Sequence, residues 1–303
     1  MTTKPADGML IETQDLIKIY KAADIEVVAL RGLDLRVRTS EIVAIIGSSG
    51  SGKSTLLNVL SGLDFPSAGN ARVGHRELMK MSPGDMVSFR RHEVGFVWQQ
   101  ADRNLVPYLT ARQNVEMPLL LDGWPTRPRQ ERAAELLATV GLEHRAGHRP
   151  GAMSSGEKQR VAIAIALANN PPVILADEPT GELDSANADE IFALFHLLRD
   201  RYGTTIVIVS HDPAIADKVD RVVAIRDGKT STETVRSAPG LDGAIGHQEF
   251  AVVDTAGRLQ IPRELLDRLQ ISHRAQITLE GDHIAVWPEA GKPRTNPETR
   301  DDR

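Results

Sequence analysis

The sequence predicts an α/β protein with a parallel sheet at its centre and a smaller β-rich region near its C-terminus. Three apolar runs, at residues 42–46, 173–176 and 205–209, are continuous and rich in β-branched residues, as in strands buried on both faces. The first run leads through a Gly/Ser loop into a stretch of helical composition that begins at Lys53. This alternation of strand and helix favours a parallel α/β core.

An antiparallel β-subdomain is predicted ahead of this core, because apolar and charged residues alternate from Leu33 to Val37. Towards the end of the core, residues 222–225 followed by Asp227 and Gly228 predict a strand that enters a hairpin turn. We expect the core to end shortly after this hairpin, near residue 236.

A helical region is predicted between the strands of the core, over residues 111–170. It includes an amphipathic helix over residues 131–142 and a further helix over residues 154–168. Ser154 and Glu157 have the spacing of a capping box, which predicts a sharp start for the second of these helices.

Composition excludes several classes of protein. The 303 residues include 36 Lys and Arg against 41 Asp and Glu, and the formal charge of −5 has the wrong sign for a surface covered with nucleic-acid contacts. The absence of cysteine excludes disulfide frameworks, cysteine–zinc sites and thiol catalysis. The longest apolar stretches are far shorter than the roughly 20 residues of a membrane span, and residues 1–8 lack a secretory apolar region. We expect a soluble, cytoplasmic chain.

Residues 47–54 read Gly-Ser-Ser-Gly-Ser-Gly-Lys-Ser, and this GxxxxGK[ST] pattern lies between a predicted buried strand and a predicted helix. In that context backbone N–H groups and the helix N-terminus bind phosphates, Lys53 adds positive charge, and the Ser54 hydroxyl ligates Mg²⁺. The alternative is a Gly/Ser loop that only caps a helix. The predicted nucleotide-binding residues of this loop are Ser48, Ser49, Gly50, Ser51, Gly52, Lys53, Ser54 and Thr55.

Two acids, Asp177 and Glu178, end the second apolar run. A carboxylate at the carboxyl end of a parallel strand can hold Mg²⁺ beside bound phosphates, which is the role predicted for Asp177. Glu178, one residue further, is placed to orient and deprotonate an attacking water. The alternative is an exposed acidic pair that only ends the strand.

With these motifs the chain resembles the ATP-binding subunit of an ABC transporter over about residues 9–236. The other family motifs follow in order: Gln99 matches the Q-loop, Ser154-Ser155-Gly156-Glu157 the signature, residues 175–180 Walker B, Gly181 to Asp184 the D-loop, and His211 the switch histidine. The resemblance implies a P-loop ATPase with a RecA-like core, an antiparallel β-subdomain and a helical subdomain.

The resemblance also implies a head-to-tail homodimer that encloses two ATP. Each ATP would lie between the phosphate loop of one subunit and the signature of the other. The signature residues Ser154, Ser155, Gly156 and Glu157 would therefore bind the ATP of the partner subunit, with the D-loop residue Asp184 beside them.

Catalytic roles for Glu178, His211 and Lys53 follow from the same resemblance, with His211 holding the γ-phosphate. Mg²⁺ would be held by Ser54, Gln99 and Asp177, and Gln99 would also sense the lytic water. Tyr20 occupies the place of an aromatic residue that stacks on adenine, and the alternative for it is a partly buried structural tyrosine.

Two residues depart from the family pattern. Ser155 stands where the family usually has glycine, and its Cβ costs little if its φ is negative. Ile165 stands where the family commonly has arginine, so one polar contact of that helix is expected to be missing.

Residues 20–32 and 99–115 resemble the lipoprotein-release, macrolide-export and FtsE branch of the family. That branch implies a separate membrane permease of the FtsX-like or macrolide-export type, with four transmembrane helices and a large extracytoplasmic domain. The chain would then lie at the cytoplasmic face of the membrane, with the permease docked in a groove beside the helical stretch after Gln99. A soluble ABC ATPase is the alternative, although the 100 residues between Ser54 and Ser154 are the spacing of a transport subunit.

The C-terminal part predicts a linker over residues 237–246, a module over residues 247–288 and a disordered tail over residues 289–303. The module reads as strand, Gly turn, strand, short helix begun by Pro262, and hairpin, an order that resembles the AbrB/SpoVT swapped-hairpin module. Residues 247–303 contain 8 Lys and Arg against 10 Asp and Glu, which disfavours DNA binding. We expect the module to dimerise and to tether two ATPase subunits; an ATP-responsive DNA-binding regulator is the alternative.

Overall fold

The computed structural model describes residues 8–22, 25–236, 246–253 and 257–289. The predicted linker and tail lie outside these residues except for Gly246 and Glu289. The strands are β1 (Met9–Ala22), β2 (Ile25–Arg38), β3 (Ile42–Ile46), β4 (Ala68–Val73), β5 (Arg76–Glu77), β6 (Val94–Val97), β7 (Val173–Asp177), β8 (Thr205–Ser210), β9 (Arg221–Arg226), β10 (Lys229–Arg236), β11 (His247–Ala251), β12 (Ala275–Glu280) and β13 (His283–Pro288). The α-helices are α1 (Lys53–Leu60), α2 (Pro83–His92), α3 (Ala111–Leu121), α4 (Thr126–Thr139), α5 (Ser155–Leu167), α6 (Ser185–Tyr202) and α7 (Arg263–Arg268).

A seven-stranded sheet with the order β11-β10-β9-β3-β8-β7-β6 forms the core. The five strands from β9 to β6 are parallel, which confirms the predicted α/β class. The three apolar runs become β3, β7 and β8, and β8 lies between the other two with all of its residues buried. The carboxyl ends of β3 and β7 therefore meet at one edge of the sheet, where open α/β sheets bind ligands.

The antiparallel subdomain is a four-stranded sheet with the order β2-β1-β4-β5. The predicted alternation is confirmed in β2, where Leu33, Leu35 and Val37 are buried. These side chains belong to one apolar cluster with Leu56 of α1 and Val43 of β3. The subdomain is thus packed against the helix that follows the phosphate loop.

The helical region contains α3, α4 and α5, which pack on the opposite side of the core sheet. The helix predicted over residues 131–142 is wrong in its bounds, since α4 spans Thr126–Thr139. Pro128 is tolerated in the first turn, where its missing N–H costs no hydrogen bond, and Gly141 with φ 72° follows the last turn. The capping box of α5 is confirmed: Ser154 Oγ accepts from Glu157 N at 3.2 Å, and Glu157 Oε2 accepts from Ser154 N at 2.9 Å.

The core sheet continues to β11, beyond the end predicted for the core near residue 236. The predicted hairpin joins β9 to β10 through Asp227 and Gly228, whose φ values are 50° and 74°. β11 lies within the segment predicted to form a separate module, yet it pairs antiparallel with β10. The core sheet therefore extends past the predicted boundary, through the backbone pairing of β10 with β11.

Beyond β11, the predicted short helix and hairpin appear as α7 and the two-stranded sheet of β12 and β13. No residue within 246–253 and 257–289 is buried. In the parts of the chain that the structure describes, no helix is both long enough and apolar enough to cross a membrane.

Candidate functional site

The phosphate loop connects the carboxyl end of β3 to the first turn of α1. Gly52 has φ 102° and stands at the cap position of α1, so no side chain covers the N–H groups of the first turn. A Cβ on Gly52 would lie 2.6 Å from Ala29 O, and a Cβ on Gly47 would lie 2.3 Å from Ile225 O. Only glycine fits at these two positions, and the loop backbone is held open towards a ligand.

Lys53 and Ser51 supply the polar side chains inside this loop. The Lys53 ammonium donates to Gly47 O at 2.8 Å and to Ser48 O at 2.9 Å. These two bonds hold its positive charge at the phosphate loop. The Ser51 hydroxyl is buried without a hydrogen-bond partner among the residues that the structure describes. A buried donor in this situation is matched by an acceptor such as a phosphate oxygen.

Ser54, in the first turn of α1, and Asp177, the last residue of β7, are brought together. The Ser54 hydroxyl donates to Asp177 Oδ1 at 3.3 Å, across the end of β8. Burial is the main reason that the pKa of Asp177 is raised. A hydroxyl and a carboxylate beside a phosphate loop are the oxygen ligands that Mg²⁺ takes, so the residues fit this metal.

Gln99 and His211 both reach the carboxylate of Glu178. Glu178 Oε2 accepts from Gln99 Nε2 at 3.3 Å and lies 3.0 Å from His211 Nδ1. The Gln99 amide thus bonds to Glu178. The sequence predicted that Gln99 would share Mg²⁺ with Asp177, the residue before Glu178. A cavity of about 410 Å³ opens beside Glu178 and His211.

The backbone of Glu178 is strained. Its φ of 46° lies in the left-handed region, which a residue with a Cβ adopts only where its surroundings hold it. The Glu178 N–H donates to Val209 O at 2.9 Å, and Glu178 O accepts from Gly181 N at 3.0 Å. These two bonds hold the conformation that turns the carboxylate towards His211.

Tyr20 lies on β1 beside the first turn of α1. Its hydroxyl donates to Asp64 Oδ2 at 3.0 Å. Burial is the main reason that the pKa of Tyr20 is raised, and Asp64 adds to this effect. Tyr20 as a whole remains 38% exposed.

Asn187 of α6 lies between the signature and the D-loop within the chain. Ser155 is the first residue of α5, so its φ is helical and its Cβ costs little at this position. A Cβ on Gly156 would lie 2.5 Å from Asn187 Oδ1. Asp184 holds this Asn187 side chain through two contacts of 3.0 Å with Nδ2. Sequence reasoning missed Asn187, and the only signal for it was an Asn three residues after a helix-capping Asp.

The sequence model described as "ABC transporter" matches residues 30–181, which is half of the chain and contains the phosphate loop, the signature and both acids. The chain belongs to the ABC transporter family. It is an ABC ATPase, with ATP as its nucleotide and Mg²⁺ as the metal that accompanies it.

Curated proteins similar to the chain include macrolide export ATP-binding/permease proteins. The macrolide export ATP-binding/permease protein MacB of Shigella flexneri is 41% identical over 268 residues, which are 88% of this chain and 40% of that protein. MacB of Escherichia coli K12 shows the same identity and coverage. The chain thus spans about 40% of the length of the curated relatives it matches.

Solved structures support the same assignment. The ATP-binding cassette MJ0796, in a dimeric post-hydrolysis state with ADP and Pi, is 39% identical, with a TM-score of 0.68 over 74% of this chain and 98% of that chain. CbiO1 from Clostridium perfringens, described as part of the ABC transporter complex cbiONQ, is 28% identical, with a TM-score of 0.69 over 75% of this chain and 88% of that chain.

Proposed function

We propose that two copies of the chain dimerise head-to-tail around two ATP, and that ATP hydrolysis drives a membrane permease of the macrolide-export or FtsX-like type. The observation that carries the proposal is the convergence of Gln99 and His211 on the Glu178 carboxylate. A carboxylate held by two such partners is suited to take a proton from water. Asp177, one residue earlier, remains available to the metal.

The chemistry follows from this division of roles. Glu178 takes a proton from a water positioned with Gln99, and the water oxygen attacks the γ-phosphorus in line with the departing ADP. His211 steadies both the Glu178 carboxylate and the γ-phosphate, while Lys53 balances charge on the phosphates. When bound at Ser54 and Asp177, Mg²⁺ adds positive charge next to the phosphate oxygens.

We infer the second copy from two separate helix N-termini in one chain, each suited to bind phosphate. The first belongs to α1 and serves the chain's own phosphate loop, and the second belongs to α5 at the signature. We assign the signature, and Asn187 behind it, to the ATP of the partner copy. The dimeric state described for the related cassette MJ0796 supports this arrangement.

Glu178→Gln tests the dimer and the catalytic base together. We expect this variant to bind ATP, to form a stable dimer measurable by light scattering, and to lose hydrolysis. Lys53→Ala is the matched control, since it should lose nucleotide and remain monomeric. Hydrolysis by Glu178→Gln at the wild-type rate would refute the assignment of the base.

A groove beside α3 is the site we propose for the permease. Its volume is about 360 Å³, and its lining includes Phe96, Met117, Leu121 and Ile165. Leu121 is 65% exposed at the end of α3. Ile165, at the position where the family commonly has arginine, adds an apolar side chain to a lining that also includes Arg90 and Arg91. A short apolar helix of a membrane partner fits such a surface, and it would hold the chain at the cytoplasmic face of the membrane.

This assignment is tested by recovering Glu178→Gln from solubilised membranes of the native host with ATP and Mg²⁺. We expect a permease with four transmembrane helices and a large extracytoplasmic domain to be recovered with it. Adding Leu121→Glu should abolish recovery, whereas adding Leu197→Glu, at an exposed leucine of α6 outside the groove, should not. Recovery of the chain alone, or of DNA that dissociates in salt, would favour the soluble alternatives.

We propose that residues 247–288 form a dimerisation module that tethers two subunits. In the hairpin of β12 and β13, one face carries only apolar residues, namely Ala275, Ile277 and Leu279 opposite Pro288, Val286 and Ile284. Ile277, Leu279 and Ile284 are 70%, 77% and 69% exposed. A two-stranded sheet with an uncovered apolar face is only marginally stable, and an identical face from a second copy would cover it.

The tether is tested with Leu279→Asp in the full chain, because removal of residues after Gly240 would also delete β11. We expect the variant to dimerise less and to hydrolyse ATP more slowly at low protein concentration, with recovery at high concentration. Gln276→Asp, on the polar face of the same strand, is the matched control. Equal dimerisation of Leu279→Asp and wild type would refute the tether.

A further inference from the structure

Two charged residues surround the hydroxyl and one face of Tyr20. Lys18 and Tyr20 are two residues apart on β1, so their side chains share a face of the sheet. Asp64 comes from the loop after α1 and contacts both of them. Its Oδ2 accepts from the Tyr20 hydroxyl at 3.0 Å, and its Oδ1 accepts from the Lys18 ammonium at 2.6 Å.

Lys18 completes a closed set of contacts. Its ammonium also donates to Phe65 O at 2.8 Å and lies over the Tyr20 ring, 4.8 Å from the ring centroid. The side chains of Lys18 and Asp64 are only 12% and 29% exposed, so this pair is screened less by solvent than an ordinary surface ion pair. Asp64 is therefore held by Lys18 while it holds the tyrosine.

This arrangement determines how the ring of Tyr20 is presented. A tyrosine ring turns about two side-chain bonds, and anchoring its hydroxyl at the far end removes both freedoms. The Lys18 cation occupies one face of the ring, which leaves the opposite face for a flat ligand. Because the ring is ordered before a ligand arrives, less conformational entropy is lost on binding.

We propose that Lys18 and Asp64 are positioning residues that hold the Tyr20 ring in the orientation for stacking on adenine. The inference rests on the proposed stacking role of Tyr20. Lys18 and Asp64 should affect the binding of the base alone. None of their described contacts is to the phosphate loop, which binds the triphosphate. The triphosphate without a base is therefore the internal control.

The test compares the binding of Mg-ATP and of Mg-tripolyphosphate to the full chain by titration calorimetry. Tyr20→Phe, Lys18→Met and Asp64→Ala should each raise the Kd for ATP about threefold to tenfold, the size expected for one lost hydrogen bond. The Kd for tripolyphosphate should stay at the wild-type value. Lys21→Met is the matched control, because Lys21 forms an exposed ion pair with Glu26 on the same hairpin.

The double variant Tyr20→Phe/Asp64→Ala should bind ATP no more weakly than Asp64→Ala, since both changes break the same contact. The kcat of each single variant should stay within twofold of wild type while KM rises. Asp64 also accepts a hydrogen bond from Phe65 N, which helps to hold the loop. If Asp64→Ala unfolds the loop, Tyr20→Phe and Lys18→Met decide the test.

Tyr20→Ala separates the two levels of the inference. If it weakens ATP binding about tenfold but not tripolyphosphate binding, stacking holds; wild-type affinity in Tyr20→Phe and Lys18→Met would then overturn the positioning role alone. If Tyr20→Ala changes neither Kd, the stacking role fails and the positioning role fails with it. Equal losses for both ligands in all variants would indicate a disturbed loop and would also overturn the positioning role.

Discussion

His211 Nδ1 lies 3.0 Å from Glu178 Oε2, although the two residues are 33 positions apart in the chain. Glu178 follows β7 and His211 follows β8, and these strands are parallel neighbours in the sheet. Residues that follow the carboxyl ends of adjacent parallel strands are brought to one edge, where they can act on one substrate.

His211→Ala removes this partner of the Glu178 carboxylate. We expect kcat to fall roughly 100-fold or more with little change in the affinity for ATP, because positioning of the base affects the transition state more than the ground state. Steady-state kinetics and equilibrium ATP binding measure the two effects. His75→Ala, at an exposed histidine in the turn between β4 and β5, is the control. An unchanged kcat in His211→Ala would contradict the proposed role.

Gly52→Ala should abolish nucleotide binding. The new Cβ would lie 2.6 Å from Ala29 O, at a φ of 102° that costs a residue with a side chain about 1–2 kcal/mol. The loop must move, and its N–H groups then lose their common direction. Gly147→Ala is the control, since nothing lies within 4 Å of its Cβ. ATP binding by calorimetry checks the prediction, and wild-type affinity in Gly52→Ala would contradict it.

Arg221→Ala should destabilise the fold. The guanidinium contacts Glu41 at 2.7 Å and Glu233 at 2.9 Å, and the Arg221 and Glu41 side chains are only 8% and 9% exposed. Removing the arginine leaves a buried carboxylate without its cation, at a cost of about 3–5 kcal/mol. Urea unfolding measures this loss. Arg127→Ala, which breaks the exposed pair with Glu131, should cost about 0.5 kcal/mol or less.

Glu157→Gln should remove a pH-dependent contribution to stability. The hydrogen bond from Ser154 N, followed by the Arg145 pair, lowers the pKa of Glu157 in the folded protein. A lowered pKa means that the contribution is complete above the unfolded pKa of about 4.3 and is lost as the pH falls through the folded value. Glu157→Gln should therefore melt lower than wild type at pH 7 and approach it in acid. A difference that stays constant with pH would contradict this.

Local hydrogen bonding and periodicity were sufficient to predict much of the fold. The capping box at Ser154, the buried runs of β3, β7 and β8, and the β9–β10 turn all depend on neighbours a few residues away. The predicted helix over residues 131–142 missed the start of α4 at Thr126, which places Pro128 in a first turn that tolerates it.

Sequence patterns pointed to the candidate site residues one at a time but not to the contacts between them. The Gln99 amide bonds to Glu178, and Asn187 stands against Gly156; neither contact has a local signal. The same holds for Asp64, which reaches Tyr20 from 44 residues away. Such pairs depend on which strands and loops become neighbours, and spacing along the chain does not encode this.

The sequence by itself determined the identity of the phosphate loop, the acids at the end of β7 and the start of α5, because each depends on backbone conformation within a few residues. Tertiary structure alone decided that β8 inserts between β3 and β7, which brings Ser54 to Asp177 and His211 to Glu178. It also decided that β11 joins the core sheet. The physical reason is that strand order follows from burying whole apolar faces at once, a property of the packed sheet and not of any single segment.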